Sequence, residues 1–159
     1  MRVSVIGGGT VPDEQARLAE EVGRLLAERG HALVCGGLGG VMAAACRGAT
    51  EGRNASEHRD ANAAGGKTIG ILPGEDPLAA NPYVDVPVAT GLGHARNALV
   101  VMNGDGVIAV DGGVGTLSEI GFAGVYDRPV AGLATHDAPG VEVVDSPADA
   151  VAYVEEAVE

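Results

Sequence analysis

The side chains whose types could do chemistry are Arg96, in Gly93-His94-Ala95-Arg96-Asn97, and Glu119, closing Asp111-Gly112-Gly113-Val114-Gly115-Thr116-Leu117-Ser118-Glu119. Breaking an N-glycosidic bond builds positive charge on a sugar, and a nearby carboxylate stabilises that charge and positions water. Glu119 has the chemistry for this. Arg96 has that for binding a phosphate or ribose and for holding the carboxylate in place. Each also has a plainer reading. Thr116-Leu117-Ser118-Glu119 has the form of a capping box, with Thr116 capping a helix and Glu119 reaching back to its N–H. A lone arginine is more often a surface or ion-paired residue.

The glycines ahead of Glu119 point to an anion. The apolar run Gly106-Val107-Ile108-Ala109-Val110 precedes them, and a helical pattern follows in which Leu117, Ile120, Gly121, Gly124 and Val125 share a face. A strand, a turn and a helix start in succession present unpaired N–H groups and the positive end of a helix dipole, which suit a phosphate. Gly112, Gly113, Gly115 and Thr116 are the candidates for that role. The same plan recurs at Gly7-Gly8-Gly9 and at Gly36-Gly37-Leu38-Gly39-Gly40, adding Gly8, Gly9, Gly36, Gly37 and Gly39. An isolated glycine turn is explained by tight turning and close packing. Three of them on one sheet edge favour a bound phosphorylated ligand.

Larger phosphate motifs fail on single residues. Gly7 and Gly9 begin a dinucleotide fingerprint, but Pro12 holds the place of its third glycine, and the second strand ends in Cys35-Gly36-Gly37 where a ribose-binding acid belongs. Ala61-Asn62-Ala63-Ala64-Gly65-Gly66-Lys67-Thr68 resembles a P-loop, yet Ala61 replaces the first glycine and a strand follows Thr68. A mononucleotide-sized ligand fits better. No metal set is indicated: Cys35 and Cys46 read as buried free thiols, His94 as a polar loop residue, and His31, His58 and His136 give no signal.

The elements that must position these residues alternate. Strands are expected over Val3 to Ile6, Ala32 to Cys35, Lys67 to Leu72, Tyr83 to Val88 and the central run 106–110, with Pro129 to Leu133 and Val141 to Val144 as edge strands. Between them lie a helix striped by Leu18, Val22, Leu25 and Leu26 and capped by Gly30, and a small-residue helix from Val41 to Cys46. A third helix should bury Ala95, Ala98, Leu99 and Met102 with Arg96 off the stripe, and a last one starts from Ser146 as N-cap with Pro147 in its first turn. The polar stretch around 51–66 reads as a solvated loop. Together these give one α/β domain over residues 1–159, a Rossmann-like three-layer sandwich with a mostly parallel central sheet, binding its ligand where the strand order switches.

Composition limits the partners. The net charge is −12, from 22 acids against nine arginines and the single lysine Lys67, and aromatics make up 3% of the chain. Such a surface repels a phosphate backbone and offers few rings for base stacking, so no nucleic acid is expected. An acid-rich, lysine-poor balance suits concentrated salt, and a halophilic source is the expectation. With no apolar run of membrane-spanning length and no leader pattern, a cytoplasmic location and no membrane partner are expected.

Gly36-Gly37-Leu38-Gly39-Gly40-Val41-Met42, Gly93-His94-Ala95-Arg96-Asn97 and Gly112-Gly113-Val114-Gly115-Thr116-Leu117-Ser118-Glu119 resemble, in order, the signature blocks of the LOG-like (SLOG) family, once labelled lysine decarboxylases. Thr68-Ile69-Gly70-Ile71-Leu72-Pro73, Asn81-Pro82-Tyr83 and Thr116 to Ile120 resemble most closely its branch of molybdenum cofactor carrier proteins. The resemblance implies a homodimer. It implies either a carrier of a nucleotide or pterin ligand, such as the molybdenum cofactor, or a phosphoribohydrolase acting on a nucleoside 5′-monophosphate through Arg96 and Glu119, with no cofactor required. Asn97 stands where those hydrolases have lysine, and Asp111 where they have the proline that opens the glycine motif. These two departures, with the branch, tilt the expectation towards binding.

Overall fold

A computed structural model describes residues 1–55 and 66–158. Seven strands form one sheet: β1 (Arg2–Gly7), β2 (Ala32–Cys35), β3 (Thr68–Leu72), β4 (Val86–Ala89), β5 (Gly106–Val110), β6 (Val130–Leu133) and β7 (Val141–Val143). Their spatial order is β4-β3-β2-β1-β5-β6-β7, and every pairing is parallel. The helices are α1 (Asp13–Glu28), α2 (Val41–Ala55), α3 (Asn97–Met102), α4 (Val114–Val125) and α5 (Pro147–Val158). The chain steps outward from β1 to β4, then returns to place β5 on the other side of β1. That reversal opens a crevice at the carboxyl ends of β1 and β5.

The two-residue period of the strands divides the core between two faces. Val3, Val5, Leu33, Cys35, Ile108, Val110, Ala131 and Leu133 pack with α1, α2 and α5. Val34, Val107, Ala109 and Val130 pack with Val100 and Val101 of α3 and Ile120 and Ala123 of α4. This is the three-layer Rossmann-like α/β fold that the alternating pattern predicts. Buried Ser4 crosses into the second face, donating its hydroxyl to the Val100 carbonyl at 2.7 Å and tying α3 to β1. Among the described residues no helix is long and apolar enough to cross a membrane.

The polar stretch expected to loop from Glu51 continues instead as helix to Ala55, while 56–65 lies outside the described residues. Glycine, which carries no apolar signal, sustains this extension. A Cβ on Gly48 would stand 1.8 Å from the Glu20 carbonyl oxygen, and one on Gly52 would stand 2.5 Å from that of Arg24. These positions let α1 and α2 approach backbone to backbone. At the α1 end, Gly30 takes φ 85° and the His31 N–H reaches the Leu26 carbonyl, as the expected glycine stop requires.

Other expectations shift. β6 is no edge strand, since it pairs with both β5 and β7 and all its residues are buried; β4 and β7 form the edges. The stripe predicted around Ala98 is out of phase, because a 3₁₀ turn at Gly93–Arg96 precedes α3. Arg96, Asn97, Val100 and Val101 face inward, whereas Met102 is 45% exposed. In α4 the inward residues are Thr116, Glu119, Ile120 and Ala123; of the predicted stripe only Ile120 is buried, and Val125 is 72% exposed. That helix is apolar nearly all round, so its period does not mark the buried side. Ser146 caps α5 as predicted, accepting the Asp149 N–H at 3.2 Å.

Candidate ligand site

The crevice at the switch point has a volume of about 330 Å³. Its rim is glycine. Gly7, Gly8 and Gly9 enter from the end of β1, Gly36 from the end of β2, and Gly113 and Gly115 from the start of α4. At Gly9 and Gly113 an added Cβ would meet nothing within 4 Å, so the backbone there borders open space. The first-turn N–H groups of α4, on Val114, Gly115 and Thr116, have no helical carbonyl ahead of them and form the positive end of that helix's dipole.

Arg96, Asn97, Thr116 and Glu119 also line the crevice, all of them buried. Arg96 is no surface residue. Its Nε donates to the Ile71 carbonyl at 2.7 Å, Nη2 to the Gly36 carbonyl at 3.2 Å, and Nη1 to Asn97 Oδ1. Burial lowers its affinity for the proton, and the charge of Glu119 opposes that. With five N–H donors on a guanidinium and three held by the protein, two remain for a ligand. Asn97 Nδ2 donates to Ser118 Oγ at 3.1 Å, whose hydroxyl donates to the Gly115 carbonyl at 2.6 Å, linking α3 to the turn of α4.

Glu119 does not act as a cap. The helix starts at Val114 with Gly113 as N-cap and no side chain capping it, so Thr116 already lies within the first turn. The capping-box reading fails because Gly113 has taken the cap position, which turns Glu119 inward. Burial pushes its carboxyl up to about 8 despite the nearby Arg96 charge. Burial thus favours the neutral acid, a donor as well as an acceptor, over the carboxylate.

Of the residues singled out in the sequence, the crevice brings together Gly8, Gly9, Gly36, Arg96, Gly113, Gly115, Thr116 and Glu119. Three lie behind it. Gly37 takes φ 77° and its carbonyl accepts the Asn81 N–H at 2.9 Å; Gly39 packs towards the Gly9 carbonyl; Gly112 takes φ 111° beside Thr116. Their glycines serve the turns. Asp111 also takes a positive φ, 51°, and does not line the crevice. Its N–H donates to the Leu133 carbonyl at 3.1 Å and its carbonyl accepts the Thr135 hydroxyl at 2.6 Å. His94, expected as a polar loop residue, and Asn97, noted in the sequence only as a departure from the hydrolases' lysine, also line it, as do Leu38 and Met42. The first two share a block with Arg96, and the other two flank the second glycine turn, so adjacency was the available signal.

The SLOG cluster4 family description matches residues 1–159, and the chain belongs to that family. It is 40% identical over 154 residues to an uncharacterized protein of Archaeoglobus fulgidus, covering 96% of this chain and 93% of that one. The molybdenum cofactor carrier protein of Chlamydomonas reinhardtii superposes with a TM-score of 0.82 at 33% identity, over 99% of this chain and 96% of that one. A cytokinin riboside 5′-monophosphate phosphoribohydrolase of Mycobacterium tuberculosis is 34% identical over 125 residues, 74% of this chain and 61% of its own.

Proposed function

We propose that the crevice binds a phosphorylated nucleotide or pterin-type ligand and releases it unchanged, in the manner of a molybdenum cofactor carrier. The observation that carries this reading is the open glycine edge with Glu119 buried beside it, where burial favours the protonated carboxyl. A carboxylate that stabilises an oxocarbenium ion acts in its ionised form, which burial of Glu119 disfavours. A neutral acid instead donates to a carbonyl or ring nitrogen, as a heterocyclic cargo needs. A pterin bearing a phosphate fits the donors present: N–H groups at Gly113 to Thr116 for the anion, Glu119 and Asn97 for polar ring edges, and Leu38 and Met42 for an apolar face. The likeness to the Chlamydomonas carrier supports the same reading.

One arrangement favours a second reading. Arg96 and Glu119 line the same crevice and sense each other's charge, as a phosphoribohydrolase acting on a nucleoside 5′-monophosphate requires, and the Mycobacterium relative carries that activity in its name. Incubation with a panel of nucleoside monophosphates, followed by chromatography, separates the two, together with mass spectrometry of whatever co-purifies. A co-purified pterin with no released base is the expected result. Released base that disappears in Glu119→Gln overturns the carrier reading in favour of the hydrolase.

The protein acts as a homodimer through the outer face of α4 in this proposal. Val114, Leu117, Gly121, Gly124 and Val125 are exposed there, and Glu119, the one charged residue of the helix, faces inward. In a chain of net charge −12 an uncharged helix face lets two copies meet without repulsion.

A further inference from the structure

Beneath the second glycine turn lie two thiols that the ligand site does not use. Cys35 is the last residue of β2 and Cys46 lies on α2, both with no exposed surface. Their sulfurs stand 3.6 Å apart, in hydrogen-bonding contact. A buried cysteine ordinarily behaves as a small apolar residue. Cys35 has polar company instead: the Gly37 N–H donates to its sulfur at 3.3 Å, and the Arg96 guanidinium acts on it through its charge. The Cys46 thiol, the Gly37 N–H and Arg96 hold the Cys35 thiol below the usual range, while the contact with Cys35 and burial push the Cys46 thiol up. The 3.6 Å contact places the two sulfurs to join, and the Gly37 N–H and Arg96 beside Cys35 favour the thiolate on that side.

We propose that Cys35 and Cys46 are an oxidisable pair, which hydrogen peroxide closes into an intrachain disulfide that clamps the turn Gly36 to Gly40 at the edge of the crevice. In the first step the Cys35 thiolate attacks a peroxide oxygen and the O–O bond breaks. The departing hydroxide takes up the proton that Cys35 released and leaves as water, giving a sulfenic acid. In the second, the Cys46 sulfur attacks the Cys35 sulfur, the S–O bond breaks, and the hydroxyl leaves with the Cys46 proton as a second water. Two thiols supply the two electrons that reduce the O–O bond. Closure draws the sulfurs from 3.6 Å to about 2.05 Å. The movement falls on the stretch between them, whose Gly36 carbonyl holds Arg96 and whose Gly37 N–H now serves the Cys35 sulfur. The inference stands whichever ligand the crevice takes.

The test treats the reduced full-length chain with hydrogen peroxide, then denatures it, alkylates it with N-ethylmaleimide and measures intact mass. The expected result is a chain lighter by two hydrogens in which neither cysteine is alkylated, restored by dithiothreitol, with amide exchange over residues 36–42 slowed in the oxidised form. In Cys46→Ala the expected product is a dimedone adduct on Cys35. Two fully alkylated cysteines after peroxide treatment, disulfide-linked dimers, or a first adduct on Cys46 in Cys35→Ala at the wild-type rate would each overturn the pair. Unchanged exchange over 36–42 in the disulfide form would overturn the clamp.

Discussion

On the face covered by α1, α2 and α5, charge lies outward, with arginines paired to glutamates. Arg24 bridges Glu21 and Glu28 along one helix, Arg47 reaches Glu20 across two, and Arg29 joins Glu155 of α5 at 2.5 Å. On the face covered by α3 and α4 the arrangement is reversed. Arg96, Asn97, Thr116 and Glu119 are buried, while Val114 is 85% exposed and Leu117 44%. The first face is arranged as a domain surface, with polar groups where water satisfies them. The second buries polar groups, Arg96 and Asn97 among them held by hydrogen bonds within the protein, and leaves apolar side chains exposed.

Perturbing each face should therefore give different kinds of failure. The largest effect is expected from Gly48→Val, because the added side chain meets the Glu20 carbonyl where α1 and α2 touch. Denaturant unfolding should show a loss on the order of 5 kcal/mol, or no folding at all. A loss under about 1 kcal/mol would mean that the close helix pair is not what holds this face.

Next comes Glu119→Gln. A carboxyl raised from 4.5 to about 8 in the fold favours folding below pH 4.5 relative to higher pH, and that advantage is lost as pH rises from 4.5 through about 8. The wild type should lose on the order of 5 kcal/mol across that window from this group alone, and the glutamine variant should lack that part of the decline. Parallel stability–pH curves for the two proteins would contradict the burial of an uncompensated acid.

Smaller effects are expected outside. Leu117→Asp should leave the stability of the protomer within about 0.5 kcal/mol while shifting sedimentation towards the monomer, since it places charge on the uncharged face of α4. An unchanged sedimentation coefficient would remove that face from the interface. The smallest is a rise of a few degrees, about 3–5 °C, in melting temperature as KCl increases, from screening of the net charge of −12. A flat or falling Tm would remove the expectation of a halophilic source.

Much of this arrangement could be read from residue order. The strand runs ending at Gly7, Cys35 and Val110, each followed by glycines, predicted both the parallel sheet and the edge on which the crevice opens. What escaped was phase. The 3₁₀ turn at Gly93–Arg96 rotates α3 relative to any regular helical count, so Arg96 moves from outside to inside. In α4 the side facing the core is marked by Thr116 and Glu119, residues that a hydrophobic pattern assigns to solvent. The tail of α2 was missed because Gly48 and Gly52 record proximity of backbones, which has no signature in apolar spacing.

Asp111 carries a last consequence. Proline is confined to φ near −65°, while Asp111 sits at φ 51° and uses its N–H to hold the Leu133 carbonyl. The proline that the resemblance places at this position in the hydrolases could not occupy this backbone. Exchanging one residue for the other is thus a change of loop path, with the charge only its visible part. A proline placed here would lose the Leu133 bond and force the backbone of the turn into α4 onto another path.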